Sequence, residues 1–205
     1  MKAIRPTIQR LGSVIAPFCV CAIVWLPAHV EPQSSDLVTR GTQALDADRV
    51  DDAIAILEQA VAANAKDAAA LAWLGSAQVR KARTAPGVDA PGWVKKGFNT
   101  MDEAVERFPD AFIVYVVRGV TAIRVLDMFR KAPGAVKDLA AVVAMKEKNP
   151  AVVPDAVMPT VYLNLGRAYK KTGQTAEARA AWEKGKKLYP SAPEAQPIDQ
   201  ELRSL

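Results

Sequence analysis

The chain has 205 residues, half of them apolar and 24% charged, with a formal net charge of +5. Lys2, Arg5 and Arg10 precede every acidic residue, and beyond residue 28 the balance is 24 basic against 22 acidic. A nucleic-acid binder concentrates basic residues on a markedly basic domain; clusters such as Lys184, Lys186 and Lys187 are local, so no nucleic-acid partner is expected. Both cysteines, Cys19 and Cys21, and the single histidine, His29, lie at the N-terminal end. The rest of the chain therefore has no thiolate or imidazole for a zinc-type site, and no metal is expected.

In chain order, residues 1–28 resemble an export signal. Three basic residues lead into the uncharged, largely apolar stretch 11–28, which ends at Ala28. Pro17, Pro27 and the shortness of the stretch favour cleavage; its 18 residues also approach the length of a membrane span, so a retained anchor stays open. Neither cysteine follows the small residue that a lipidated cysteine needs. The expectation is an exported, periplasmic chain, or one anchored only through residues 11–28, with 29–33 as a linker.

The remaining sequence is alanine-rich, has no alternating Val, Ile or Thr runs and lacks the Asn-Gly turns of hairpins, which predicts an all-α domain. It also repeats. From residue 162 it reads Tyr162-x2-Leu165-Gly166-x2-Tyr169, then Gly173, Ala178, Trp182, Gly185 and Pro190. Leu37, Gly41, Ala44, Ala53, Leu57, Ala60 and Ala65 occupy the same places 125 residues earlier. Leu71-x2-Leu74-Gly75 and Tyr115-x2-Arg118-Gly119 open two further units. Gly41, Gly75, Gly119 and Gly166 are expected where two helices of a unit touch, with Ala53, Ala60, Ala178 and Gly185 opposite and Trp182 filling the gap beside them. Gly173 is expected to end a helix in the left-handed conformation, and Thr175 to cap the next one.

Units two and three are longer than the others by about ten and seven residues, from the spacing between their glycines and prolines. TAPGVDAPGW (84–93) and FRKAPGAVKD (129–138) are predicted as loops between helices, and NPAVVPDAVMP (149–159) as a linker. Trp93 is expected to begin a helix and pack inward. Residues 193–205 are expected to form a capping segment that covers the last apolar face.

This pattern resembles the tetratricopeptide repeat family, whose 34-residue helix–turn–helix unit carries W-x2-L-G-x2-Y, then Ala, an aromatic and Pro. The resemblance is tightest over 159–192 and spans 34–192. It implies an α-solenoid of about four irregular helix hairpins, in which the first helix of each unit lines a groove. The positions carried over are Thr39, Thr42 and Asp46; Trp73, Ser76 and Arg80; Val117, Val120 and Arg124; and Asn164, Arg167 and Lys171. Val117, Val120 and Trp73 also fit packing between units.

No catalytic constellation accompanies the repeat. No Gly-rich loop precedes a Lys-Ser/Thr pair, the serines have no histidine partner, and Asp51-Asp52 and Asp102-Glu103 fit helix starts or solvated faces. No enzyme activity and no cofactor are expected. The resemblance implies an adaptor, assembly factor or accessory subunit that binds a peptide or partner helix, with acidic groups toward Arg167 and Lys171. Two alternatives stand beside it: a small-ligand protein with a pocket closed by the 84–93 and 129–138 loops, and a structural homo-oligomer.

Overall fold

A computed structural model of the chain describes residues 33–205. The expected signal or anchor over 1–28, and His29, lie outside the described residues. Among the described residues there are nine α-helices and no strand: α1 (Ser34–Asp46), α2 (Val50–Ala63), α3 (Ala68–Lys81), α4 (Ala90–Arg107), α5 (Phe112–Arg124), α6 (Ala132–Lys148), α7 (Met158–Lys171), α8 (Thr175–Leu188) and α9 (Ala195–Arg203). Consecutive pairs form four hairpins, α1–α2, α3–α4, α5–α6 and α7–α8. The first helices also pack in series, α1 on α3, α3 on α5 and α5 on α7, so the array is an α-solenoid.

The contact inside each hairpin follows the glycines. A Cβ added to Gly41 would lie 2.6 Å from Leu57 Cγ, one on Gly119 would lie 2.8 Å from Leu139 Cγ, and one on Gly75 would lie 2.5 Å from Met101 Cγ. On Gly166 it would collide with the Trp182 indole. Each unit thus sets one large side chain of its second helix against the bare backbone of its first. Gly185 plays the converse part, where a Cβ would come 2.5 Å from Tyr162 Cβ. Gly97 stands opposite Gly75, so two backbones meet directly in unit two. Ala53, Ala60 and Ala178 are fully buried at the same layers.

A sign test follows. Gly→Ala in an ordinary helix stabilises by up to about 1 kcal/mol. Gly134, in α6, has open space around its Cβ position, so Gly134→Ala should stabilise. Gly166→Ala must instead push against a buried indole and should destabilise by about 1–3 kcal/mol. Chemical denaturation of the two variants reads both signs.

The hairpin turns repeat as well as the helices do. Asp48 and Gly173, 125 residues apart, both have positive φ, 56° and 78°. Arg49 N donates to Ala44 O at 2.8 Å, and Gln174 N to Tyr169 O at 2.9 Å. Gly173 thus takes the expected left-handed conformation, which costs a non-glycine residue about 1–2 kcal/mol. Thr175 does not cap α8. It is the first helical residue, and the residue before it, Gln174, makes no side-chain cap bond.

Three expected loops are shorter than their sequences suggested, for one reason. Pro91, Pro133 and Pro159 each sit in the first turn of a helix. There the missing N–H costs nothing and the fixed φ suits the helix. The 84–93 stretch therefore yields its last four residues to α4, 129–138 yields residues 132–138 to α6, and 149–159 ends where α7 starts at Met158. Part of the extra length in units two and three goes into helix: α4 has 18 residues and α6 has 17, against 14 in α2 and in α8. Trp93 does not begin α4, which starts at Ala90; it lies in the first turn, half-buried and outside the core clusters rather than packed inward, with Lys96 Nζ 5.1 Å from its ring centre.

The core runs through the stacked hairpins, with Val114, Leu139, Met158 and Val161 fully buried at its centre. One charged group enters it. Asp138 is only 2% exposed and accepts from Arg118 Nε at 2.8 Å and Nη2 at 2.7 Å. Arg118 Nη1 reaches Asp102 at 2.7 Å, so one guanidinium joins α4, α5 and α6. These contacts raise the Arg118 pKa, the Asp138 bonds contributing most. At the far end α9 lays Ile198 against Trp182 and Leu163.

Candidate functional site

The groove positions divide by burial. Val117, Asn164 and Ser76 are buried at 2%, 5% and 6% exposure. Asn164 Nδ2 donates to Thr160 O at 2.8 Å within its own helix, and Ser76 and Thr121 share a hydroxyl hydrogen bond of 2.9 Å. Trp73 is half-buried and packs against two core clusters, and Val120 packs against the larger one. Ser76, Trp73, Val117 and Val120 pack between helices of the array, while Asn164 is satisfied within α7. Thr39, Thr42, Asp46, Arg80, Arg124, Arg167 and Lys171 keep contact with solvent.

The last turns of the first helices lie side by side. Burial lowers the Arg124 pKa, the positive charges of Arg80 and Arg167 lower it further, and Asp46 opposes them. One residue from each first helix therefore acts on the same place. A guanidinium keeps its proton under such pressure, so the site holds an excess of positive charge.

The structure differs from the sequence in which cation is available. Arg167 Nε donates to Glu201 on α9 at 2.7 Å, and Lys171 pairs with Asp127, in the α5–α6 connection, at 2.6 Å. Arg80 pairs with Asp48 at 3.2 Å. Arg124 has no ion-pair partner among the described residues, only the more distant charge of Asp46, and it lies in unit three rather than unit four. The sequence points to Arg167 and Lys171; the carboxylates that claim these two and Arg80 come from turns and from the cap.

Beside Arg124 lies a cavity of about 830 Å³. Its apolar walls include Val79, Pro91, Val94, Leu126, Met128 and Phe129, and Arg80, Arg83 and Arg124 also line it. The walls come from α3, the α3–α4 connection, the start of α4, the end of α5 and the α5–α6 connection, so the long connections of units two and three meet the first helices here. Leu126 and Met128 are 69% and 75% exposed.

Glu201 gives the site a pH-sensitive edge. Burial works to raise its pKa, but hydrogen bonds from Arg167 and Lys170 outweigh this, and the carboxyl is held below its ordinary 4.5. A depressed carboxyl contributes stability that is complete above the ordinary value and is lost as pH falls through the lower folded one. Docking of α9 should therefore weaken only below about pH 4.5. Trp182 fluorescence, beside Ile198, should follow this loss, and Glu201→Gln should remove that part of the pH dependence.

Among the described residues, no cluster of His, Cys, Asp or Glu could hold a metal ion. Among the same residues, no helix is long and apolar enough to cross a membrane.

Comparison with known proteins agrees with this geometry. Two family models described as Tetratricopeptide repeat match residues 38–85 and 159–192. The first covers most of the α1–α2 hairpin and α3, and the second covers the α7–α8 hairpin; α4, α5 and α6 fall between. No curated protein matches the chain. Among solved structures, a mutant of MamA is similar with a TM-score of 0.51 and 24% identity, over 80% of this chain and 83% of that one. A thermophilic TPR protein in Thermus thermophilus is 18% identical with a TM-score of 0.47, over 83% of this chain and 97% of that one. The chain thus carries repeats that match the tetratricopeptide repeat models toward both ends of an array of four stacked hairpins.

Proposed function

We propose that the chain is a non-catalytic protein-interaction module whose partner presents an acidic side chain or a C-terminal carboxylate to Arg124. The observation that carries this is the unpaired guanidinium of Arg124, set between Arg80 and Arg167 at the ends of the first helices. A guanidinium binds a carboxylate in a fixed two-point geometry, and neighbouring positive charge steers an acidic partner toward it. Tetratricopeptide arrays present such first-helix faces to polypeptides, which supports the interaction class. Lys2, Arg5 and Arg10 before the apolar stretch 11–28 support the further proposal that the chain is exported and meets its partner in the periplasm or at a membrane face.

Selection of a random displayed peptide library on the full chain tests the binding reading. Enriched peptides should carry Asp, Glu or a free C-terminal carboxylate at one recurrent place. Enrichment of basic or purely apolar peptides, or no enrichment, would contradict it. Mass measurement of the chain recovered from cells tests export: loss of a segment ending near Ala28 is expected of a cleaved signal.

A further inference from the structure

The cavity beside Arg124 has features that a peptide-binding groove does not require. The long connections of units two and three supply much of its lining, beside Ser76, Val79, Arg80, Thr121 and Arg124 of the first helices. Its 830 Å³ falls within the roughly 300–1,000 Å³ of small-molecule sites. Its side-chain hydroxyls, Ser76 and Thr121, are bonded to each other. Three guanidinium groups line it and no carboxylate does. Arg80 and Arg83 share Asp48, at 3.2 and 3.7 Å, and the nearby Asp127 pairs with Lys171. What remains is a largely apolar space in which Arg124 is the one guanidinium without an ion-pair partner among the described residues.

We propose that this cavity binds an amphiphilic monocarboxylate, an extended apolar chain with its carboxylate on Arg124. The unpaired guanidinium of Arg124 matches a carboxylate in its paired donors. Hydrocarbon fits the remaining walls without leaving polar groups unpaired. A polypeptide backbone would bring N–H and C=O groups against Val79, Val94 and Phe129, where they would lack partners. An occupant would also cover Leu126 and Met128, large apolar side chains that line the cavity while mostly exposed. This inference stands apart from the protein-partner reading. Because both use Arg124, a bound carboxylate and an acidic partner would exclude one another.

The experiment titrates the full chain with dodecanoate below its micellar concentration, with dodecyltrimethylammonium as the oppositely charged comparison. Ala82→Trp and Ala90→Phe fill the cavity from two separate walls, and Arg124→Leu removes the cation. Thermal melting shows which variants remain folded. Saturable dodecanoate binding is expected, roughly tenfold or more weaker for the cationic amphiphile and for Arg124→Leu, and absent from the folded filled variants. Absence of saturable binding, or equal affinity for both amphiphiles, would overturn the proposal. So would binding that persists when the cavity is filled; residues 11–28 are present in every variant, so association with that stretch would appear as such persistence. If filling the cavity abolishes capture of selected acidic peptides while dodecanoate fails to bind, the cavity belongs to the polypeptide partner and this inference fails alone.

Discussion

Trp182→Ala is expected to destabilise the α7–α8 hairpin by about 3–5 kcal/mol, the range for deleting a buried large aromatic. Trp182 is fully buried, its ring lies against the bare backbone of Gly166, and its Nε1 donates to Leu163 O at 2.9 Å. The substitution removes both contacts and also strips Ile198 of a neighbour, so α9 should loosen with the hairpin. Solenoid units are stabilised mainly by their neighbours, so the loss should be concentrated at the C-terminal end. Amide hydrogen exchange should show protection falling in α7, α8 and α9 and largely retained in α1 and α2. A uniform loss along the array would mean that the hairpins do not behave as separable units.

Asp138→Ala is the second large effect, at about 3–5 kcal/mol. Removing one member of a buried ion pair leaves the other desolvated and uncompensated. Here Asp102 still holds one edge of Arg118, so the lower end of that range is expected. The double replacement Arg118→Met with Asp138→Leu should restore much of the loss, because apolar groups of similar size can fill a buried ion-pair site at little cost. Urea denaturation of the single and double variants checks this. If the double variant is no more stable than Asp138→Ala, the pair supplies more than charge compensation.

Much of the fold is legible from Gly41, Gly75, Gly119 and Gly166, because close helix contact imposes a size limit that a single sequence displays through its own repeats. Their partners are legible only where the spacing is regular. Leu57 and Trp182 occupy equivalent places, whereas Met101, Leu139 and Gly97 sit behind extra residues that break the count. Pro91, Pro133 and Pro159 misled for a physical reason: proline obstructs a helix interior and suits a helix start, and composition alone does not say which end of a loop it occupies.

The candidate site was legible in position and not in availability. The places five residues after each glycine select Asp46, Arg80, Arg124 and Lys171 in register. Pairing is decided by Asp48, Asp127 and Glu201, which lie 32, 44 and 34 residues from their partners. No local pattern joins them. The two long connections foreshadow the cavity, although its walls include Ala90 and Pro91, which belong to α4 rather than to a loop.

The most direct measurement compares three charge-neutralising variants against the acidic peptides that the full chain selects. Arg124→Gln should weaken binding by roughly ten- to a hundredfold, as expected for loss of a charged hydrogen-bonding partner. Arg167→Gln and Lys171→Gln, whose carboxylates are supplied from within the chain, should change it by less than about threefold, since such contributions to an exposed pair are small. If Arg167→Gln or Lys171→Gln abolishes binding while Arg124→Gln leaves it intact, the site lies toward unit four and the assignment to Arg124 is contradicted.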